Sequence, residues 1–360
     1  MKKNYLFILS FLSLLFGRCQ YQIEPVAQTE RLQFLVITAE LTQTFGRIAV
    51  ERSSGNASGG DIPAPPSYLK GTAYVLDSKG LRTDFTLDGA KNQKFQGKVG
   101  ESYQLFIETE GRKYQSQVET LPAGPAIDTV TTEFNINPTF APITDKYYGY
   151  DVKLNTKDLA EKGNFYQWEW VHYQRKEYCA FLADWKSWDN RVKGVPCYED
   201  CFVVNYNPDL ILLSDELVNG NPIHIPIDRV GFFTPPNKYY LKIEQRSITK
   251  NAYTYFNAIL QQTQRNGNQY DVAPQTVFST NITCTTNPEE KVLGVLNVFS
   301  LSKRILLIDR SIDIPNATRT IRPPSYELYE LGPREAFPFF PGCGDETRYN
   351  TKYMPEGWAD

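Results

Sequence analysis

Apolar and polar positions alternate along most of this chain, and the period is two far more often than the 3.6 of a helix. Arg31–Ala39 (RLQFLVITA) and Phe45–Glu51 read as buried-type strands. Lys70–Leu76, Arg82–Leu87, Ser102–Glu108 and Arg112–Thr120 follow with the alternation of half-buried strands. Glu110-Gly111 supplies a hairpin turn between the last two. Ser53–Pro66 is a Ser/Gly/Pro loop. Six or seven short strands in about 90 residues, without a helical period, predict an immunoglobulin-like β-sandwich over residues 31–122. Leu121-Pro-Ala-Gly-Pro125 closes it as a linker.

A second β domain is expected over 126–310. Its strand-like stretches are Ile127–Phe134, Tyr147–Leu154, Phe165–Arg175, Asp209–Leu217 (running into a turn) and the end of Phe232–Arg246. The register of Phe165–Arg175 stays open: one face carries Phe165, the other Tyr166, Trp168, Trp170, His172 and Gln174. Lys176–Cys201 is an excursion rich in Cys and Trp. A helical period appears once, near 247–265, where Ala252, Tyr255 or Phe256, Ile259 and Leu260 share a face. Ser247 or Thr249 can cap its start, and Gly267 follows its end. Lys291–Ser300 and Arg304–Asp309 read as a final pair of strands, and 311–360 as an irregular tail. The expected fold is mainly β: an immunoglobulin-like sandwich, then a second antiparallel sandwich or barrel-like domain with one inserted helix.

The N-terminus breaks this pattern. Lys2 and Lys3 precede an apolar run, Tyr5–Phe16, interrupted only by Ser10 and Ser13. About a dozen apolar residues suit a signal-peptide core and are too few to span a bilayer. Phe16-Gly17-Arg18-Cys19 follows directly and looks like a lipobox, with Arg18 where a small residue is usual. Residues 1–18 are therefore expected to be a signal peptide, Cys19 the lipidated residue, and 19–30 a polar tether. Each buried CH₂ of an acyl chain contributes about 0.8 kcal/mol, so two or more chains give a stable anchor.

Composition supports export and a β-rich body. The chain has 23 Tyr, 21 Phe, 23 Pro and 23 Gly, as expected of many short strands joined by turns. Removal of Lys2, Lys3 and Arg18 takes the formal charge from −3 to −6, which argues against a nucleic-acid partner. Besides Cys19 there are Cys179, Cys197, Cys201, Cys284 and Cys343. In an oxidising compartment these read as disulfide candidates, at most two bridges with one thiol over. Cys197 and Cys201 resemble half a zinc site, but neither His172 nor His224 stands at a ligand spacing from a second pair, and no metal or other cofactor is expected.

Catalytic templates fail in the same way. His172 lies in an aromatic strand and His224 in the extended Pro-Ile-His-Ile-Pro, so neither has a nucleophile to serve. There is no Gly-x-Ser-x-Gly elbow, phosphate loop or His-Glu-x-x-His helix, and Asp209, Asp215 and Glu216 lack calcium-loop spacing. No catalytic residue is assigned. Trp185, Trp188 and Tyr198 stand in a loop and have two readings: aromatics that stack on a sugar or fill a partner's pocket, or a small core under the disulfides.

The order of several short stretches resembles a family of Bacteroidetes outer-membrane lipoproteins classed as a domain of unknown function. They are Gly100-Glu-Ser-Tyr-Gln-Leu105 with Tyr114 and Leu121-Pro122, Ile127-Asp-Thr129, Asn164-Phe-Tyr-Gln-Trp168 and Leu213-Ser-Asp-Glu216. Ser247–Phe256, Asn281–Gly294 and Pro355-Glu-Gly-Trp358 complete the set. Genes of that family often stand beside TonB-dependent receptors of the SusC type. The resemblance implies a lipid anchor in the outer membrane, a surface-facing body and a β-barrel partner, and it brings no catalytic residues. A non-enzymatic accessory subunit of a SusC-type receptor is thus the expectation. The alternatives are a subunit of outer-membrane protein assembly or export machinery, and a stand-alone glycan- or peptide-binding lipoprotein.

Overall fold

The computed structural model describes residues 33–53, 67–87, 89, 91–136, 148–175, 178–183, 192–196, 200–207, 209–231, 238–263, 276–309 and 350–358. The chain first forms β1 (Leu35–Leu41), β2 (Phe45–Arg52), β3 (Gly71–Asp77), β4 (Arg82–Thr86), β5 (Gln93–Lys94), β6 (Ser102–Thr109), β7 (Arg112–Ser116) and β8 (Glu119–Thr120). Next come β9 (Ile127–Ile136), β10 (Tyr148–Lys157), β11 (Phe165–Arg175), β12 (Tyr178–Ala183), β13 (Val192–Pro196), β14 (Phe202–Tyr206), β15 (Ile211–Ser214), β16 (Pro222–Gly231) and β17 (Lys238–Ile248). The helix Lys250–Thr263 precedes β18 (Ile282–Cys284), β19 (Val292–Asp309) and β20 (Asn350–Thr351). The fold is mainly β with a single α-helix among the described residues, as expected.

Alternation builds the first sandwich. Leu35, Ile37, Ala39 and Leu41 of β1 point inward, and so do Tyr103, Leu105 and Ile107 of β6. Their outward neighbours meet water or the next layer. Glu110 and Gly111 both take positive φ (50° and 73°), the two-residue turn that matches strand twist between β6 and β7. One layer is β18-β7-β6-β3-β4, and facing it is β5-β2-β1 continued by the first part of β19. The core between them also takes in Ile282, Cys284, Val292, Leu296 and Val298.

Those last residues lie within the stretch assigned from sequence to the second domain. β18 pairs with β7, and Val292–Val298 pairs in parallel with β1. The first sandwich is therefore closed by segments about 160 residues or more beyond its own hairpins, because the outer edges of β1 and β7 stay open until they arrive. The expected pair of strands at 291–309 is one strand of 18 residues. Nothing between Ser300 and Arg304 breaks it, since Leu301-Ser-Lys303 lacks Gly and Pro.

The second sandwich uses the other part of β19. Phe299–Asp309 pairs antiparallel with β17, which pairs with β11, and β11 pairs with β14 and β15. The facing layer is β16-β10-β9. Tyr166, Trp168 and Trp170 enter the core with Leu154, Leu241 and Ile243, which settles the register of β11. β12 and β13 form a separate hairpin. The C-terminal segment joins the sheet edge: β20 pairs with β14, and Trp358 packs against Phe202 and Tyr240.

A third apolar cluster sits where the sandwiches meet. The helix lays Ala252, Tyr253, Tyr255 and Phe256 on Val295 and Phe299 of β19, with Phe45, Phe165 and Ile248 around them. Thr249 caps its start, Oγ1 accepting from the Ala252 N–H at 3.5 Å, while Ser247 belongs to β17. The Tyr255 hydroxyl accepts the Gly294 N–H at 3.1 Å. Gly294 has φ +93°, and a Cβ there would run into the Ile37 carbonyl oxygen on β1, so this crossing requires glycine.

Candidate functional site

Between the two cores, β19 carries polar residues on both faces. Asn297 lies on the helix side, Ser300 and Ser302 on the opposite side. The opposite side is covered by the linker. Ile127 N–H donates to Ser302 Oγ at 3.1 Å, and Gln245 Nε2 donates to the Pro125 carbonyl at 2.8 Å. Gln245 also accepts from Trp168 Nε1 at 3.0 Å, linking this belt to the second core. Gly124 lies so close to β19 and β17 that a Cβ would stand 2.5 Å from both Ser247 Oγ and Ser300 Oγ.

On the helix side, Arg246 of β17 is buried among carboxylates. Its guanidinium reaches Glu169 of β11 through both nitrogens (2.7 and 2.8 Å), Glu244 at 3.0 Å and Glu40 of β1 at 3.6 Å. The group also lies 4.9 Å from the Phe299 ring centroid. Glu40 is bridged as well to Arg47, and Glu244 to Lys242 at 2.9 Å. Three acids thus meet three bases. Burial pushes the Glu169 carboxyl up, and Arg246 only partly offsets it. Burial also acts on Glu244, but Lys242 and Arg246 together bring it below the ordinary carboxylate range. The Asn297 carboxamide is buried with neither end partnered, and so is the Nε of Arg246. Such a network is strong only while complete.

A cavity of about 320 Å³ opens on the linker side of this junction, lined by Gln43, Val99, Ala123–Ala126 and Ser300–Ser302. Its lining has no charged group and no aromatic ring.

Those residues singled out from sequence that the structure describes do not gather at this junction. Cys19, Cys197, Cys343, Trp185, Trp188 and Tyr198 lie outside the described residues, and Cys179 falls in β12. Cys201 is buried and disulfide-bonded. Cys284 is not its partner. Cys284 is a free, buried thiol in the first core, bonded to Thr286 Oγ1 at 3.4 Å, so its candidacy for a bridge is corrected. His172 bonds Tyr239, and His224 bonds Asn155 Oδ1 at 2.6 Å on the outer face of β16 and β10. Asp215 is buried and accepts from the Gly163 N–H (2.8 Å) and Asn164 Nδ2 (3.2 Å), so it holds a loop. Among the described residues no group of three His, Cys, Asp or Glu side chains is placed to hold a metal ion.

Over residues 21–305 the chain matches the model of a family described as a domain of unknown function, DUF4249. It is a DUF4249 protein. No curated protein matches it. The DUF4249 match spans the first sandwich, the helix and the crossing, and ends inside β19. Within it, several stretches that carried the resemblance converge on the junction. Ile127 bonds Ser302, Phe165 packs on Tyr253, and Ser247–Phe256 forms the end of β17 and the helix start. Asn281 is buried, its amide donating to Glu119 at 2.6 Å and to the Leu296 carbonyl at 2.8 Å. In this DUF4249 chain those residues join one sandwich to the other. Arg246, Glu40 and Asn297 were missed from sequence, because a charged or polar residue in an alternating strand reads as facing water.

Proposed function

We propose that this DUF4249 protein is an outer-membrane lipoprotein, anchored through Cys19, that serves as a non-enzymatic accessory subunit of a β-barrel complex. A SusC-type TonB-dependent receptor is the first candidate for the barrel, and assembly or export machinery the second. The observation that carries this reading is the tether. β1 begins at Leu35, 16 residues beyond Cys19, so a lipidated Cys19 holds the body within about 60 Å of the membrane even with the chain fully extended. The buried helix-side network and the linker belt support a rigid body presented at that height. Of the ionisable residues considered for chemistry, His172, His224 and Asp215 are engaged in hydrogen bonds that hold strands and loops.

Two measurements test it. The intact mass of the mature N-terminus should show acylation at Cys19, lost in Cys19→Ala. Extraction in mild detergent with a C-terminal affinity tag should bring down a β-barrel protein, whose identity separates receptor from assembly machinery. A tagged chain that elutes alone, unacylated, ends the reading. Protease treatment of intact cells should cleave the body if it faces the surface.

A further inference from the structure

The second half of β19 has an open side. Leu301 lies opposite Arg246 of β17, yet its N–H points away from β17 and donates to Gln43 Oε1 at 3.0 Å. In an antiparallel ladder this marks a pair whose main-chain groups face outward, and the same alternation turns out those of Lys303, Ile305 and Leu307. β1 occupies the outer side only as far as Val298. Among the described residues, no strand pairs with it beyond that point. Gln43, just past the end of β1, sets its carboxamide oxygen where the carbonyl of a continuing strand would stand.

Two further observations say what fits there. The 320 Å³ cavity lies at this point of the edge, at the small end of the roughly 300–1,000 Å³ range of ligand pockets. Without charge it has nothing for a phosphate or carboxylate, and without rings it has nothing for a sugar to stack on. It offers the Gln43 carboxamide, the Ser302 hydroxyl, main chain of the linker and small apolar walls, the chemistry of a peptide backbone with small side chains. The Ser300 hydroxyl beside it is buried without a partner. Beyond the cavity the edge carries Lys303, whose ammonium bridges Glu356 at 2.7 Å, and exposed Arg304, then Ile305 and Leu307, while Leu306 and Ile308 turn into the second core; no proline or bulge interrupts it.

We propose that the outer edge of β19 from Leu301 to Leu307 is a strand-addition site. It takes an extended segment of a partner protein, uncharged where it enters the cavity, acidic beside Arg304 and apolar where it passes Ile305 and Leu307. This rests on the accessory-subunit reading only for who the partner is.

Amide hydrogen exchange at single-residue resolution, on the mature chain without lipid, tests it. In the free protein the Lys303, Ile305 and Leu307 amides should exchange at least tenfold faster than those of Arg304, Leu306 and Ile308, which bond β17. A blocked octapeptide of alternating threonine and valine with one glutamate should slow those three amides at least tenfold. Ile305→Pro removes one outward N–H and no ladder bond, so it should abolish peptide binding while Leu306 and Ile308 stay protected. Three outcomes overturn the proposal: outward amides already as slow as their neighbours, a peptide that slows none of them, or protection that grows with protein concentration alone, which would make a second copy the occupant. If Ile305→Pro fails to fold, the two wild-type exchange measurements still decide. No membrane or barrel enters the experiment, so its failure leaves the lipoprotein reading standing, and a failed pull-down leaves the edge result standing.

Discussion

Arg246 ties two sandwiches together through charge, and its neighbours dictate what its loss should do. Glu40 and Glu244 are mostly buried, and removing the guanidinium leaves Glu40 with Arg47 alone and Glu244 with Lys242 alone. Breaking a buried pair from one side costs about 3–5 kcal/mol; Arg47 and Lys242 stay in place, so Arg246→Ala is expected at the lower end, about 3 kcal/mol by urea unfolding. A loss under about 1 kcal/mol would mean the network adds little. Glu244 is held below its ordinary value, so its contribution is present above the unfolded carboxylate pKa and is lost as pH falls through the lower folded one. Glu244→Gln should accordingly flatten the acid side of the stability–pH curve, and an unchanged acid slope would count against this assignment. Cys284 carries a simpler expectation. Buried and free, it should resist iodoacetamide in the native protein and label once the chain is unfolded in denaturant without reductant. Labelling only after reduction would place it in a bridge.

At the scale of elements, short-range pattern was a good guide and long-range pairing was hidden. The alternation marked β2, β6 and β11 nearly to their ends and β1 with a start four residues early, and a period of 3.6 marked the helix, because those signals sit in consecutive residues. β18 and β20 are two or three residues long and exist through partners far away in the chain, so no local pattern announces them. The same holds for the C-terminal strap. Tyr240 donates to the Glu356 carbonyl at 2.6 Å and touches Trp358, while Lys303 bridges Glu356 at 2.7 Å. Burial, then Glu356 and Tyr173, push the Tyr240 phenol up to about 12. Its protonated form therefore stabilises the fold below pH about 10, and that contribution disappears as pH rises toward 12. Tyr240→Phe should cost about 1 kcal/mol at neutral pH through the lost bond to the strap. The gap between variant and wild type should then narrow above pH 10, where only the wild type has a Tyr240 to ionise. A gap that holds constant into alkali would show that another group titrates there.

For the whole molecule, the expected boundary near residue 122 marks a change of sandwich but not a point where the chain can be cut. Leu121 is fully buried in the first core, and the linker after it is pinned to Ser302 and Gln245 on strands of the second sandwich. β19 runs 18 residues, about 60 Å, through both cores, so neither sandwich is complete without a strand it shares. Opening one sandwich strips Val292, Leu296 and Val298 from the first core or Ile308 from the second, and with them the helix contacts on Phe299. The intact chain is therefore expected to unfold in a single calorimetric transition, with the calorimetric and van't Hoff enthalpies equal. Residues 31–126 expressed alone should lack dispersed amide resonances, because Ile37, Leu105 and Tyr114 would face water where β18 and β19 belong. Joining residues 276–298 behind residue 126 through a short flexible loop should restore dispersion, since that segment supplies both missing edges. If 31–126 folds by itself, or if two separate transitions appear in the intact protein, the shared strand is a bridge between independent domains and not the member that makes them one.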